Sequence, residues 1–315
     1  MPKKNPTSPA PPPAIATIPN PLLLKTNRRM FFSHELVAAA SSGDAALLLS
    51  ALAARSFTSE HSREALRSAA SNGHLECLRL LLPELPAIED RRSALHFAAS
   101  SGKAACVEHL IPLADPAFDD SAALRSASRN GHAACVALLV SVSDPKALDS
   151  YALRWAAKNG KADCVMLLAP ISDAAADDSS ALRFAARHGL SSCMEVLIPL
   201  SNPRARHSSA LRLACEGGHA ECARALLPFS DPLALDGECL LSAARGGHVE
   251  IVSLLLNAAD FSSLLSLENL AAKAAQNQPG NWRPIAEMLS AFGARAAIAQ
   301  SQPQISARLF PGPRL

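Results

Sequence analysis

The chain is predicted to be an all-α solenoid of helix–turn–helix repeats. Three observations carry this: a glycine that returns on a fixed period, a block of text that returns with it, and helices too short to stand alone. Gly43, Gly73, Gly102, Gly131, Gly160, Gly189, Gly218 and Gly247 are separated by 30 residues once and by 29 thereafter. The surrounding text recurs most clearly in YALRWAAKNGKADCVMLLAPISDA from Tyr151 and SALRFAARHGLSSCMEVLIPLSNP from Ser180. A supersecondary unit copied at such a period is the mark of a repeat architecture.

Each element of the unit follows from its residues. Leu182, Ala185 and Ala186 stand at i, i+3 and i+4, the spacing that gives a short helix one apolar stripe. Gly189 supplies the positive φ of a tight turn. Cys193, Val196 and Leu197, with neighbouring Met194, form the stripe of a second helix, which Pro199 stops. Pro83, Pro112, Pro170 and Pro228 occupy the same place in other copies. The loop that follows, as in Ser143-Asp144-Pro145 to Asp149-Ser150, is expected to be extended and to end in an N-cap for the next unit. Neither helix exceeds about three turns, so a unit buries its apolar face only by stacking on its copies. The predicted partition is a Pro-rich basic leader over 1–34, a repeat domain over 35–294 with about eight repeats and a C-terminal cap, and a disordered tail over 295–315.

The unit resembles the ankyrin repeat. Ser93-Ala94-Leu95-His96-Phe97-Ala98-Ala99 is similar to that family's T-P-L-H-x-A-A opening, and Gly247 to Leu255, GHVEIVSLL, is similar to its second helix. Regular copies begin at Ala65, Ala94, Ala123, Ala152, Ala181, Ala210 and Cys239, with a looser one from about Glu35. The family usually repeats at 33 residues, so four are missing here from the connecting loop, which implies a shortened finger. Its usual histidine is replaced by Arg67, Arg125, Arg154, Arg183 and Arg212 and kept at His96. Asn257 to Gly293 holds no clean copy, but Ala271–Gln276 and Ile285–Phe292 could form a capping pair around Pro279-Gly280. The resemblance implies a binding scaffold with a protein partner.

Composition sets limits on function. The net charge is +2, but no acidic residue precedes Glu35 or follows Glu287. Eight basic residues at the two ends (Lys3, Lys4, Lys25, Arg28, Arg29, Arg295, Arg308 and Arg314) leave −6 on residues 35–294. Basic tails can touch phosphate or anionic lipid, while the acidic body argues against nucleic acid. Residues 1–30 hold eight prolines and no sustained apolar run, unlike a secretory signal. No stretch is long and apolar enough for a membrane span. A cytoplasmic monomer is expected, with non-classical export as the alternative.

No chemistry-bearing constellation escapes the repeat. Cys77, Cys106, Cys135, Cys164, Cys193 and Cys222 share one repeat position. Helices packed about 8–10 Å apart hold equivalent Cα atoms beyond the ~7 Å reach of a disulfide. No close ligand pair such as C-x₂-C suggests zinc, so buried structural thiols are expected. His74, His132, His219 and His248 also repeat with the fold. No nucleophile elbow, phosphate loop or H-E-x-x-H motif occurs, so neither an enzyme nor a cofactor or metal is expected.

What stands out is the outward face of the first helix. Arg125 with Arg129, Arg154 with Lys158, and Arg183 with Arg187 form i, i+4 pairs on three successive repeats, with Trp155 and Phe184 alongside. Like charges at that spacing cost a helix roughly 0.2–0.5 kcal/mol per pair. Either Asp120, Asp149 and Asp178, five residues before each arginine, neutralise the stripe, or the stripe holds an acidic partner surface in a concave groove. Trp155, Phe184 and Phe97 serve correspondingly as packing between first helices or as aromatic anchors. The leading function is a protein-interaction scaffold or adaptor. The alternatives are binding of an anionic nucleic acid or lipid, a substrate-recruiting subunit, and an exported effector.

Overall fold

The structure, a computed structural model, describes residues 34–55, 57–261 and 283–295. Sixteen helices over 34–258 pair into eight repeats: α1 (34–42) with α2 (Ala45–Ala53), α3 (Ser59–Asn72) with α4 (Leu75–Leu81), α5 (Ile88–Ser100) with α6 (Ala104–Leu110), α7 (Phe118–Asn130) with α8 (Ala133–Leu139), α9 (Ala147–Lys158) with α10 (Ala162–Leu168), α11 (Ala176–Arg187) with α12 (Ser191–Leu197), α13 (Ala205–Gly217) with α14 (Ala220–Leu226), and α15 (Ala234–Arg245) with α16 (Val249–Ala258). A last helix, α17, spans 283–295. No strand occurs among the described residues.

First helices pack on first helices from α3 through α15, and second helices on second helices from α2 through α16, giving two layers one repeat thick. The core lies between them and continues from each repeat to the next. In repeat 5 it takes Ala152, Leu153, Ala156 and Ala157 from α9 and Cys164, Val165 and Leu168 from α10. The alanines let first helices approach closely while the leucines fill the interlayer space. Ile285 and Leu289 of α17 join the same core, where the sequence placed a capping helix over Ile285–Phe292. The companion expected over Ala271–Gln276, the Pro279-Gly280 turn, and the leader and tail apart from residues 34 and 295 lie outside the described residues.

The turn glycine does what its period suggested. Gly131 has φ +88°, and His132 N–H reaches back to Ala127 O at 2.9 Å, closing the first helix. It also makes room: a Cβ on Gly102 would sit 2.5 Å from Nδ1 of His132 in the next repeat. Prolines end the second helix within one 3₁₀ turn, as at Leu82–Glu84, Ile111–Leu113, Ile198–Leu200 and Leu227–Phe229.

The connecting loop corrects the sequence expectation. Thr58 caps α3 as expected, but before α7, α9, α11, α13 and α15 the loop is neither extended to its end nor closed by a side-chain N-cap. Three consecutive residues adopt left-handed dihedrals before the right-handed helix begins: Asp119 to Ser121, Leu148 to Ser150, Asp177 to Ser179, Arg206 to Ser208, and Leu235 to Gly237. Such residues cost about 1–2 kcal/mol each unless locally held. Repeat-to-repeat bonds supply the hold. Ser121, Ser150, Ser179 and Ser208 are buried, and each Oγ accepts at 2.8 Å from a loop N–H one repeat on: Asp144, Asp173, Asn202 and Asp231. Those side chains each accept from an N–H two residues later, as Asp144 does from Lys146 at 2.9 Å. The serine of the expected cap therefore ties neighbouring loops together instead of capping its own helix.

Candidate functional site

The eight residues singled out in the sequence fall on the outward face of three successive first helices. Arg125 and Arg129 come from α7, Arg154, Trp155 and Lys158 from α9, and Arg183, Phe184 and Arg187 from α11. On α9, residues 151, 154, 155 and 158 are half-buried, and the residues between them form the core. One helical period thus divides core from surface.

The stripe splits into two rows with different partners. The row nearer the loops is satisfied internally. Arg125 donates to Asp119 O at 2.7 Å, Arg154 to Leu148 O at 2.8 Å and Arg183 to Asp177 O at 2.7 Å, each bond clasping the first left-handed residue of its own loop. Ion pairs add to this: Arg125 with Asp119 at 3.3 Å, and Asp177 with Arg154 at 3.4 Å and Arg183 at 3.7 Å. The neutralising carboxylates therefore differ from the expected ones. Asp119 serves Arg125 in place of Asp120, because the left-handed turn swings the residue six positions back under the guanidinium, whereas Arg154 has Leu148 at that position and takes Asp177 from the next repeat's loop in place of Asp149. Asp178 pairs with Arg206 at 2.7 Å, although Arg183 Nε reaches its backbone oxygen. Burial and then Arg206 push the Arg183 pKa down, while Asp177 and Asp178 pull it up.

The second row has no such neutralisation. Among the described residues no carboxylate pairs with Arg129, Lys158 or Arg187. Two of these cations are held by an aromatic ring instead: Arg129 lies 4.7 Å and Lys158 4.3 Å from the Trp155 centroid, and Lys158 is also 5.6 Å from Phe184. Tyr151 stacks on Trp155 at 5.4 Å and faces Arg125 at 5.5 Å and Arg154 at 5.9 Å. Phe97, by contrast, lies edge-on to His96 two repeats away and is 38% exposed, outside this cluster.

Sequence reasoning missed Tyr151 and Lys161. Tyr151 is the chain's single tyrosine and stands four residues before Trp155, the spacing of a same-face neighbour. Lys161 lines an open polar recess of about 540 Å³ with Arg129, Asn130, His132 and Asn159. A second recess of about 300 Å³ lies at the loops of repeats 3 and 4. There Arg92 stacks 3.9 Å over Phe118 and pairs with Asp115 at 3.1 Å, so its charge is already engaged.

The repeated thiols are all buried and unbridged. Burial raises their pKa values, that of Cys164 to about 11. His96 Nε2 meets Ser126 Oγ at 2.8 Å, and burial followed by Arg125 lowers its pKa. No group of three or more potential metal ligands occurs among the described residues. No described helix is long and apolar enough to cross a membrane.

No curated protein matches the chain. Among solved structures it is similar to the crystal structure of the human ASB11 ankyrin repeat domain, at 24% identity and a TM-score of 0.46, over 52% of this chain and 82% of that one. The family profile described as ankyrin repeats (3 copies) matches residues 36–120, 124–206 and 182–264. With most of its length so matched, the chain belongs to the ankyrin repeat family.

Proposed function

We propose that the protein is a non-catalytic interaction scaffold that holds a protein partner along the first-helix face of repeats 4 to 6, the concave side of the stack. Ankyrin repeats are in general protein–protein interaction modules. The observation that carries the assignment is Trp155, half-buried with Arg129 and Lys158 on its ring and no carboxylate to neutralise them. Tryptophan and arginine are the residues most enriched at interface hot spots, and a ring fixed by its neighbours loses little entropy on docking. The loop-side row, Arg125, Arg154 and Arg183, organises the loops and presents the surface. A monomer acting in the cytoplasm suits this role.

The test is affinity capture on the immobilised full chain with identification by mass spectrometry, repeated on Trp155→Ala and Lys158→Ala. The partner recovered by the wild type should bind these variants at least 10-fold more weakly, while their thermal melts stay close to that of the wild type. Recovery of the same proteins by wild type and both variants would remove the assignment. A steep loss of binding with salt on a nucleic-acid or lipid ligand would favour the anionic-ligand alternative.

A further inference from the structure

In four repeats the residue after the turn glycine is histidine, and it has a fixed structural task. His74, His132, His219 and His248 turn Nε2 toward a carbonyl closing the preceding first helix, at Ser41, Ser100, Arg187 and Glu216, over 2.9–3.3 Å. In repeats 2 and 4 an asparagine shares that carbonyl, Asn72 on Ser41 and Asn130 on Ser100. Repeat 5 keeps only the amide, with Asn159 Nδ2 donating to Arg129 O at 3.2 Å, and replaces the histidine with Lys161. The Lys161 ammonium has no carboxylate partner among the described residues, and it faces the same recess as Arg129.

This joint differs from its neighbours. At the same two positions the other joints combine Ser41 with His74, Ser71 with Lys103, Ser100 with His132, Lys158 with Leu190, Arg187 with His219, and Glu216 with His248. Only the joint between repeats 4 and 5 sets an arginine against a lysine. Lys158 adds a third cation, no more than about 9 Å from Arg129 across the Trp155 ring.

We infer that this recess binds a phosphoryl dianion, carried as phosphoserine or phosphothreonine on the partner segment proposed above; the inference rests on that reading. Arg129 offers a planar fork whose orientation the indole face constrains, and Lys161 offers a compact charge beside it. A dianion with three acceptor oxygens matches this set better than a single carboxylate. The recess lies on a body of net −6, and the loop-side arginines beside it are already engaged by loop carbonyls, which disfavours a long polyanion such as RNA.

The test uses the full chain and four probes: a degenerate peptide library centred on phosphoserine, its unphosphorylated twin, polyuridylate, and phosphatidylcholine vesicles containing a phosphoinositide. The phosphorylated library should be retained at least 10-fold better than its twin. Arg129→Ala and Lys161→Ala should each remove most of that difference, Arg129→Lys should remove part of it, and exposed Arg204→Ala should leave it intact, all with unchanged circular dichroism. Equal retention of the two libraries, retention of neither, undiminished phosphate dependence in the Arg129→Ala/Lys161→Ala double variant, or preference for polyuridylate or vesicles would overturn the inference. If both libraries bind equally and Trp155→Ala releases both, the phosphoryl assignment fails and the protein-partner reading survives. If Trp155→Ala and Lys158→Ala capture the same proteins as wild type, that broader reading fails on its own.

Discussion

At the scale of single residues, identical letters do different work according to what the turn brings near. Arg125 and Arg129 are four residues apart on one helix, yet the first clasps a loop carbonyl and the second lies on an indole. The like-charge pair was legible in the sequence. The split was not, because it depends on a left-handed turn that carries Asp119 and Asp177 under the arginines. The six repeated cysteines were legible, since a thiol that returns at the centre of six successive second helices, α4 to α14, sits on the apolar stripe that must be core. Their burial has a pH consequence. The Cys164 pKa is raised from 9.0 to about 11, so folding favours the protonated thiol. Below the unfolded pKa both states keep the proton and stability is constant. Between about 9 and about 11 the unfolded chain ionises alone, and stability falls as pH rises. The urea midpoint should therefore drop from pH 7.5 to pH 10, and Cys164→Ala should make that drop shallower. An equal drop in the variant would show that this thiol does not contribute.

At the scale of elements, the two helices and the glycine between them follow from apolar spacing, while the loop escaped because its order comes from the next repeat. Ser150 reads as an N-cap in one dimension; in three it accepts the Asp173 N–H of the following loop. Two substitutions in this turn should act in opposite directions. Ser150→Ala leaves the part-buried Asp173 N–H without its acceptor and should destabilise by about 1–2 kcal/mol. Leu148 has φ +51° and an exposed side chain, and leucine gains nothing from the left-handed region. Leu148→Asn keeps the carbonyl that Arg154 clasps and should stabilise by about 0.5–1 kcal/mol. Chemical denaturation of both variants checks the signs. If Leu148→Asn destabilises, the turn is not strained as its dihedrals imply.

At the scale of the whole molecule, each repeat touches only its neighbours, so the chain behaves as a one-dimensional array in which fold and surface can be separated. Deleting residues 146–174, one period of 29, joins Pro145 to Ala175 and leaves every remaining residue at its own repeat position. The loop ladder survives the joint, because the deletion takes out both members of the Ser150–Asp173 rung and leaves the Ser121–Asp144 and Ser179–Asn202 rungs whole. Helicity per residue should be preserved, and unfolding should remain cooperative at a modestly lower midpoint, since an array loses one unit and one interface. The surface has no such redundancy. The deletion removes Tyr151, Trp155, Lys158 and Lys161 and sets Arg129 against Phe184 and Leu190, a joint with neither an indole nor a second cation after the glycine. Partner capture should fall below detection while circular dichroism stays helical. Removing another period, residues 204–232, should shorten the stack equally and leave capture intact, because it takes α13 and α14 and spares the aromatic cluster. If both deletions abolish capture alike, the partner reads the length of the array and not the face of repeats 4 to 6.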